Sequence, residues 1–203
     1  VEGLLLGGYV YNGLKSTANT LDDDNTDAEL PQTTEVTVVG ADEKAFEQAV
    51  IVAESVNLAR DLVNTPSNFL YPESYAAVMG EVASAAGLDI EVLDDKALED
   101  QGFGGILSVG RGSARTPRLV HLTWAPSGAT KKVALVGKGI TFDTGGISLK
   151  PGSGMEDMIS DMGGSAAQLG VIAAAARLEL PVRIDAWLPL AENMPSGTAT
   201  RPG

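Results

Sequence analysis

VALVGKGITFDTGGISLKPGSGMEDMISD, running from Val133 to Asp161, changes character after its fourth residue. Val133-Ala134-Leu135-Val136 is a short apolar run of the kind a buried strand shows. A glycine-rich loop carrying Lys138, Asp143, Lys150, Asp157 and Asp161 follows it. Gly137, Gly139, Gly145 and Gly146 permit sharp turns and a close approach of backbone to a bound group. Charged side chains gathered where an apolar strand stops cost free energy unless they pair or bind metal. Chemistry is therefore expected at this strand end.

Working outward, the chain alternates. Downstream, Gly163-Gly164 opens an alanine-rich helix over Ser165–Leu178, and Val182–Leu190 reads as a last strand stopped by the loop AENMPSGTATRPG. Upstream, Arg118–Trp124 and Leu88–Leu93 read as strands, and Lys132–Val136 is the strand that leads into the loop. Pro72–Ala86 is a helix closed by Gly87, Asp94–Gln101 is a short helix, and Ile106–Val109 is an apolar run before the loop Gly110-Arg111-Gly112-Ser113. Strands separated by helices imply a parallel or mixed sheet with helices on both faces, whose ligands collect at the carboxyl ends of strands. Before this core, apolar residues recur at helical spacing from Asp42, a suitable N-cap, to Asn64, and Asn64-Thr65-Pro66 ends that helix. Glu35–Val39 alternates as a short strand would, residues 16 to 34 are a polar loop, and residues 1 to 15 resemble the last helical turns of a preceding domain.

Composition narrows the chemistry. The 203 residues carry 14 Lys+Arg against 27 Asp+Glu, a formal charge of −13, which disfavours a broad nucleic-acid face. Part of the excess lies in Asp22-Asp23-Asp24 with Asp27 and Glu29. With no cysteine, disulfides and thiolate zinc sites are excluded, and with His121 alone so is a two-histidine site. Any metal must be held by oxygen ligands, with a lysine amine as the further donor. No apolar run reaches the roughly 18 residues of a membrane span. The chain begins at Val1, not Met, and stops at Arg201-Pro202-Gly203, so it is read as a piece of a longer protein.

Each charged residue has a bland reading beside a functional one. Lys138 is either a solvent-facing loop lysine or an amine that a neighbouring dication deprotonates and binds. Asp143 and Asp161 are its natural oxygen partners. Lys150 is either a surface lysine before Pro151 or an electrostatic catalyst for a developing oxyanion. Asp157 is a ligand by type, but Glu156 and Asp157 also suit an exposed helix start, and Asp161 is preferred. His121, within LVHLTW, is given no role. The Gly163-Gly164 helix start offers N–H groups to an anion, yet lacks the GK[ST] of a phosphate loop.

Taken together, VGKGITFDTGGISLKP, MEDMISDMGG, LPLAENMPSGTATRPG, LARDLVNTPSNFLYP and EGLLLGGYVY resemble the cytosolic leucine aminopeptidase family of dinuclear metallopeptidases. The resemblance implies an α/β protein: a three-layer α/β/α catalytic domain on a mixed, largely parallel sheet, preceded by the tail of an N-terminal α/β domain. The implied boundaries are 1–42 for that tail, 43–65 for a linker helix and 66–203 for the first half of the catalytic domain. Lys138, Asp143 and Asp161 match the family's metal ligands, with Asp143 bridging two divalent ions. Those ions are expected to be zinc or manganese, with magnesium or cobalt as further options. Lys150 matches the catalytic electrophile, and Met158 a residue lining the pocket for the substrate's N-terminal side chain. Thr144 stands where serine is common.

The implied activity is release of N-terminal, leucine-type residues from peptides by metal-activated water. A cytoplasmic homohexamer is implied, with peptides as its substrates. The lack of a long apolar run and the acidic charge, rather than the resemblance, argue against a membrane and a nucleic acid as partners. The family completes its site with a downstream NTDAEGR motif. Asn25-Thr26-Asp27-Ala28-Glu29 spells part of it, but Leu30-Pro31 follows and it precedes the core, so it is read as coincidence. The 1–203 segment alone is accordingly expected to be inactive. The alternative is a non-catalytic scaffold or binding member of the same family, against which the intact Lys138, Asp143, Lys150 and Asp161 argue.

Overall fold

The computed structural model describes residues 1–13 and 35–202. The acidic run and the NTDAE segment lie outside the described residues. Helices α1 (Glu2–Gly7), α2 (Glu43–Asn64) and α3 (Pro72–Ala86) come first. Strand β1 (Asp89–Leu93), helices α4 (Asp95–Asp100) and α5 (Gly104–Gly110), and strands β2 (Arg118–Trp124), β3 (Lys131–Val136) and β4 (Gly139–Asp143) follow. A 3-10 helix over Met155–Met162, helix α6 (Gly163–Arg177) and strand β5 (Val182–Asn193) complete the order.

Local chemistry sets the helix ends. The Asp42 and Asp94 carboxylates accept from the backbone N–H of Ala45 and Ala97 at 2.9 and 2.8 Å, satisfying donors that the first turn leaves free. Pro72 starts α3, where its missing N–H costs nothing, and Gly87 ends it in the left-handed region at φ 69°.

The sheet runs β1-β2-β5-β3, with β4 also paired to β5. β1–β2 and β2–β5 are antiparallel, and β3–β5 and β4–β5 are parallel, so the sheet is mixed. β3 lies along Val182–Trp187 of β5 and β4 along Leu190–Asn193, making one interrupted edge line broken at Gly137-Lys138. Val120, Leu122, Ile184, Ala186, Leu188 and Leu190 turn inward and meet Tyr75 and Met79 of α3 and Leu169 and Ile172 of α6 in one core. α2 rides on α6 at Gly170, where a Cβ would stand 2.7 Å from the Ser55 carbonyl oxygen. No helix among the described residues is long and apolar enough to cross a membrane.

Three expectations are corrected. Glu35–Val39 forms no strand, and Val36, Val38 and Val39 are exposed. Alternation yields a strand only where a partner takes up the backbone groups, and among the described residues nothing pairs with it. The segment after Lys138 is strand β4 and not loop throughout, and β5 continues past Leu190 through Ala191, Glu192 and Asn193 because β4 pairs with that extension. Ile106–Val109, an apolar run to which the sequence reading gave no element, lies in helix α5.

The outer face of the sheet carries a polar cluster. His121 stacks on Trp187 with ring centroids 3.8 Å apart, and its Nε2 lies 3.2 Å from Asp185 Oδ1. A structural part suits this histidine. The Arg183 guanidinium first of all, donating at 2.9 and 3.0 Å, holds the Asp185 carboxyl at about 2 against the opposing effect of burial. A carboxyl lowered from 3.8 in this way contributes stability above pH 4 and loses it as pH falls toward 2. Because Arg183 is largely solvated, the contribution is about 1 kcal/mol. Asp185→Asn should therefore cost about 1 kcal/mol in urea unfolding at neutral pH. The gap from the parent should close near pH 2, within reach of the same titration.

Candidate metal centre

The break between β3 and β4 positions Lys138. The Gly137 N–H still donates to the Trp187 carbonyl at 3.1 Å, and the Lys138 carbonyl accepts from the Ser165 N–H at 2.8 Å, closing the first turn of α6. That helix start is thus served by the chain's own carbonyl, and the anion-binding reading of Gly163-Gly164 loses a donor. A Cβ at Gly164 would stand 3.1 Å from the Lys138 backbone nitrogen, so a small residue is required there. The Lys138 side chain runs out to Asp161, with Nζ donating to Oδ1 at 2.7 Å.

Asp143 ends β4, in register with Asn193 at the end of β5. Its Oδ1 accepts from the Gly145 N–H at 3.0 Å and from Asn193 Nδ2 at 2.7 Å. Its Oδ2 accepts from Lys150 Nζ at 2.6 Å. Burial raises the Asp143 carboxyl, but the bonds from Lys150, Gly145 and Asn193 outweigh it and hold the group below its ordinary range. The loop returns Lys150 to Asp143 because Gly145, at φ 89°, takes a left-handed turn where a Cβ would meet the Ser148 carbonyl at 2.4 Å. The Lys150 N–H then donates to the Thr144 carbonyl at 2.9 Å. Thr144 uses its hydroxyl for the Asn193 carbonyl, 2.8 Å away, a bond that serine would also make.

Asp161 comes from the 3-10 helix. Its Oδ2 is buried and has no hydrogen-bond partner among the described residues, although its Oδ1 is taken by Lys138. A buried carboxylate oxygen left unpaired costs free energy that a bound cation removes. The Asp161 carboxylate and the Lys138 amine it touches are donors suited to a hard or borderline dication, so the residues present fit a metal, with Asp143 held separately by Lys150. Among the described residues no three Asp, Glu, His or Cys side chains gather in one place. Met158 faces Lys150, its sulfur 3.1 Å from Nζ, and Asp157 is exposed on the same 3-10 helix.

The structure therefore pairs Lys138 with Asp161 and Lys150 with Asp143, and places Met158 beside Lys150. Sequence reasoning missed Asn193, which touches Asp143. It also missed the buried Glu192, which accepts from the Ser113 hydroxyl and from Arg115 at 3.4 Å. The inward–outward alternation that marks residues 184 to 190 breaks at Ala191, and Leu190, Ala191 and Glu192 are all buried, so the sequence pattern did not carry the strand further.

Comparison with known proteins follows the same lines. Residues 57–203 match the catalytic-domain model of the cytosol aminopeptidase family. A probable cytosol aminopeptidase of Corynebacterium diphtheriae is 57% identical over 207 residues, covering 100% of this chain and 40% of that protein. Among solved structures, the bottromycin maturation enzyme BotP in complex with Mn superposes with a TM-score of 0.84 at 43% identity, covering 98% of this chain and 40% of that one. The cytosol aminopeptidase of Coxiella burnetii gives a TM-score of 0.85 at 31% identity, covering 100% and 40%. The chain thus spans about 40% of the length of the relatives it matches.

Proposed function

Because the chain belongs to the cytosol aminopeptidase family, we propose that the protein carrying it is a metal-dependent aminopeptidase that removes N-terminal residues, leucine among them, from peptides. The observation that carries this reading is Asp161: one oxygen held by Lys138 at 2.7 Å, the other buried without a partner among the described residues. Divalent ions, zinc or manganese, would be held by Lys138 Nζ, Asp161 and a shared Asp143, and supply Lewis-acid polarisation of the scissile carbonyl and an activated water.

The chain's own residues do the rest. A lysine ammonium has three N–H donors, and Lys150 uses them toward Asp143 Oδ2 and Met158 Sδ, leaving one to meet the substrate's carbonyl oxygen. As negative charge grows on that oxygen, the fixed ammonium stabilises it without reorganising. Met158 sets an apolar wall beside Lys150, where a leucine-type side chain fits. Residues 1–42 belong in this account to the tail of a preceding α/β domain, 43–65 to a linker helix, and 66–203 to the first half of the catalytic domain. A cytoplasmic location accords with the family's printed name, and a homohexamer is part of the same proposal.

The full-length protein loaded with manganese should hydrolyse leucine p-nitroanilide and leave its N-acetylated form intact. No turnover of any free N-terminal substrate would refute the activity. The 203-residue segment tested alone should give no turnover, since its described residues bring together no third carboxylate or histidine for a second ion.

A further inference from the structure

Asn193 has a part that neither the family match nor the motifs assign. The Asn193 backbone is clamped, its carbonyl accepting from the Thr144 N–H at 3.0 Å and from the Thr144 hydroxyl at 2.8 Å. From the other side Glu192 anchors the strand end through Ser113 and Arg115. The amide is wedged as well, since a Cβ on Gly146 would lie 2.7 Å from Asn193 Oδ1. A carboxylate only accepts, so the amide must turn its NH2 toward Asp143. It does so at 2.7 Å on Oδ1, the oxygen that also receives the Gly145 N–H at 3.0 Å. Each carboxylate oxygen has two lone pairs. Both on Oδ1 are therefore taken, whereas Oδ2 has the Lys150 bond alone.

We propose that Asn193 is a positioning residue: by saturating Oδ1 it fixes the Asp143 carboxylate and leaves Oδ2 as the oxygen offered to a divalent ion. This rests on the reading of Asp143 as a ligand. Partners that orient a ligating side chain are worth roughly 10–100-fold in metal affinity.

The test is a Mn2+ titration of the metal-stripped full-length protein, followed by electron paramagnetic resonance, on the parent, Asn193→Ala, Asn193→Leu and Asp143→Asn. Asn193→Ala deletes the amide, and Asn193→Leu keeps its bulk without the N–H. Both are expected to raise the Mn2+ Kd about 10–100-fold, with the urea midpoint of the stripped protein unchanged. A Kd within about threefold of the parent in either folded variant, well short of the effect of an orienting partner, overturns the proposal. A lost affinity matched by an equal loss of stability in the stripped protein also overturns it, because Asn193 would then serve folding alone. Undiminished uptake by Asp143→Asn would sink the ligand reading itself, whatever the Asn193 variants do.

Discussion

Asp161→Asn should abolish peptidase turnover, by about a thousandfold or more, while leaving the metal-free protein no less stable. The activity loss follows from removing a charged donor whose ion is worth several kcal/mol of transition-state stabilisation. The stability expectation has separate grounds. Asp161 Oδ2 is buried with no partner among the described residues, which costs the fold about 1–3 kcal/mol. The Lys138–Asp161 pair returns little, because the lysine side chain is 59% exposed and such pairs contribute about 0–1 kcal/mol. An ordinary structural aspartate would behave the other way, with stability falling and activity falling only as a consequence. Urea unfolding of the stripped protein beside leucine p-nitroanilide kinetics separates the two.

Lys150→Ala should lower kcat by about 10²–10³, the range seen when a preorganised oxyanion donor is removed. KM should change little, because the ammonium gains strength only as the carbonyl oxygen becomes charged. The variant loses a 2.6 Å ion pair with Asp143 that is itself partly exposed, so folding suffers little. Lys150→Arg should recover only part of the rate, since a planar fork cannot reproduce a point charge on a flexible stem. A rise in KM with kcat intact would recast Lys150 as a substrate-binding group.

Much of this molecule is legible in its sequence, and unevenly so. The ends of α2 and α3 follow from Asp42, Pro72 and Gly87, residues whose backbone preferences act locally. Strand β4 escapes because its inward positions are Gly139 and Thr141, both buried, so no apolar signal marks its face. The Thr141 hydroxyl reaches the Ala191 carbonyl at 3.4 Å, so its polarity is met only once β5 lies alongside. The supposed strand at Glu35–Val39 fails for the complementary reason, a correct alternation without a partner among the described residues. At the centre, Lys138, Asp143, Lys150 and Asp161 stand out by residue type and motif. Which lysine faces which aspartate does not, because it depends on a turn at Gly145 and on the interruption between β3 and β4 at Gly137, whose outcome is tertiary. Asn193 is the clearest case. Its role exists only through the register that sets it opposite Asp143, 50 residues earlier.

Lys138, Asp143 and Asp161 are proposed to gather divalent ions together. Anomalous diffraction at the manganese edge from crystals of the full-length protein grown with Mn2+ tests this most directly. A peak is expected against Asp161 Oδ2, flanked by Lys138 Nζ and Asp143. A fully loaded, active protein with no peak there, and with Lys138 Nζ still bonded to Asp161 Oδ1, would contradict it.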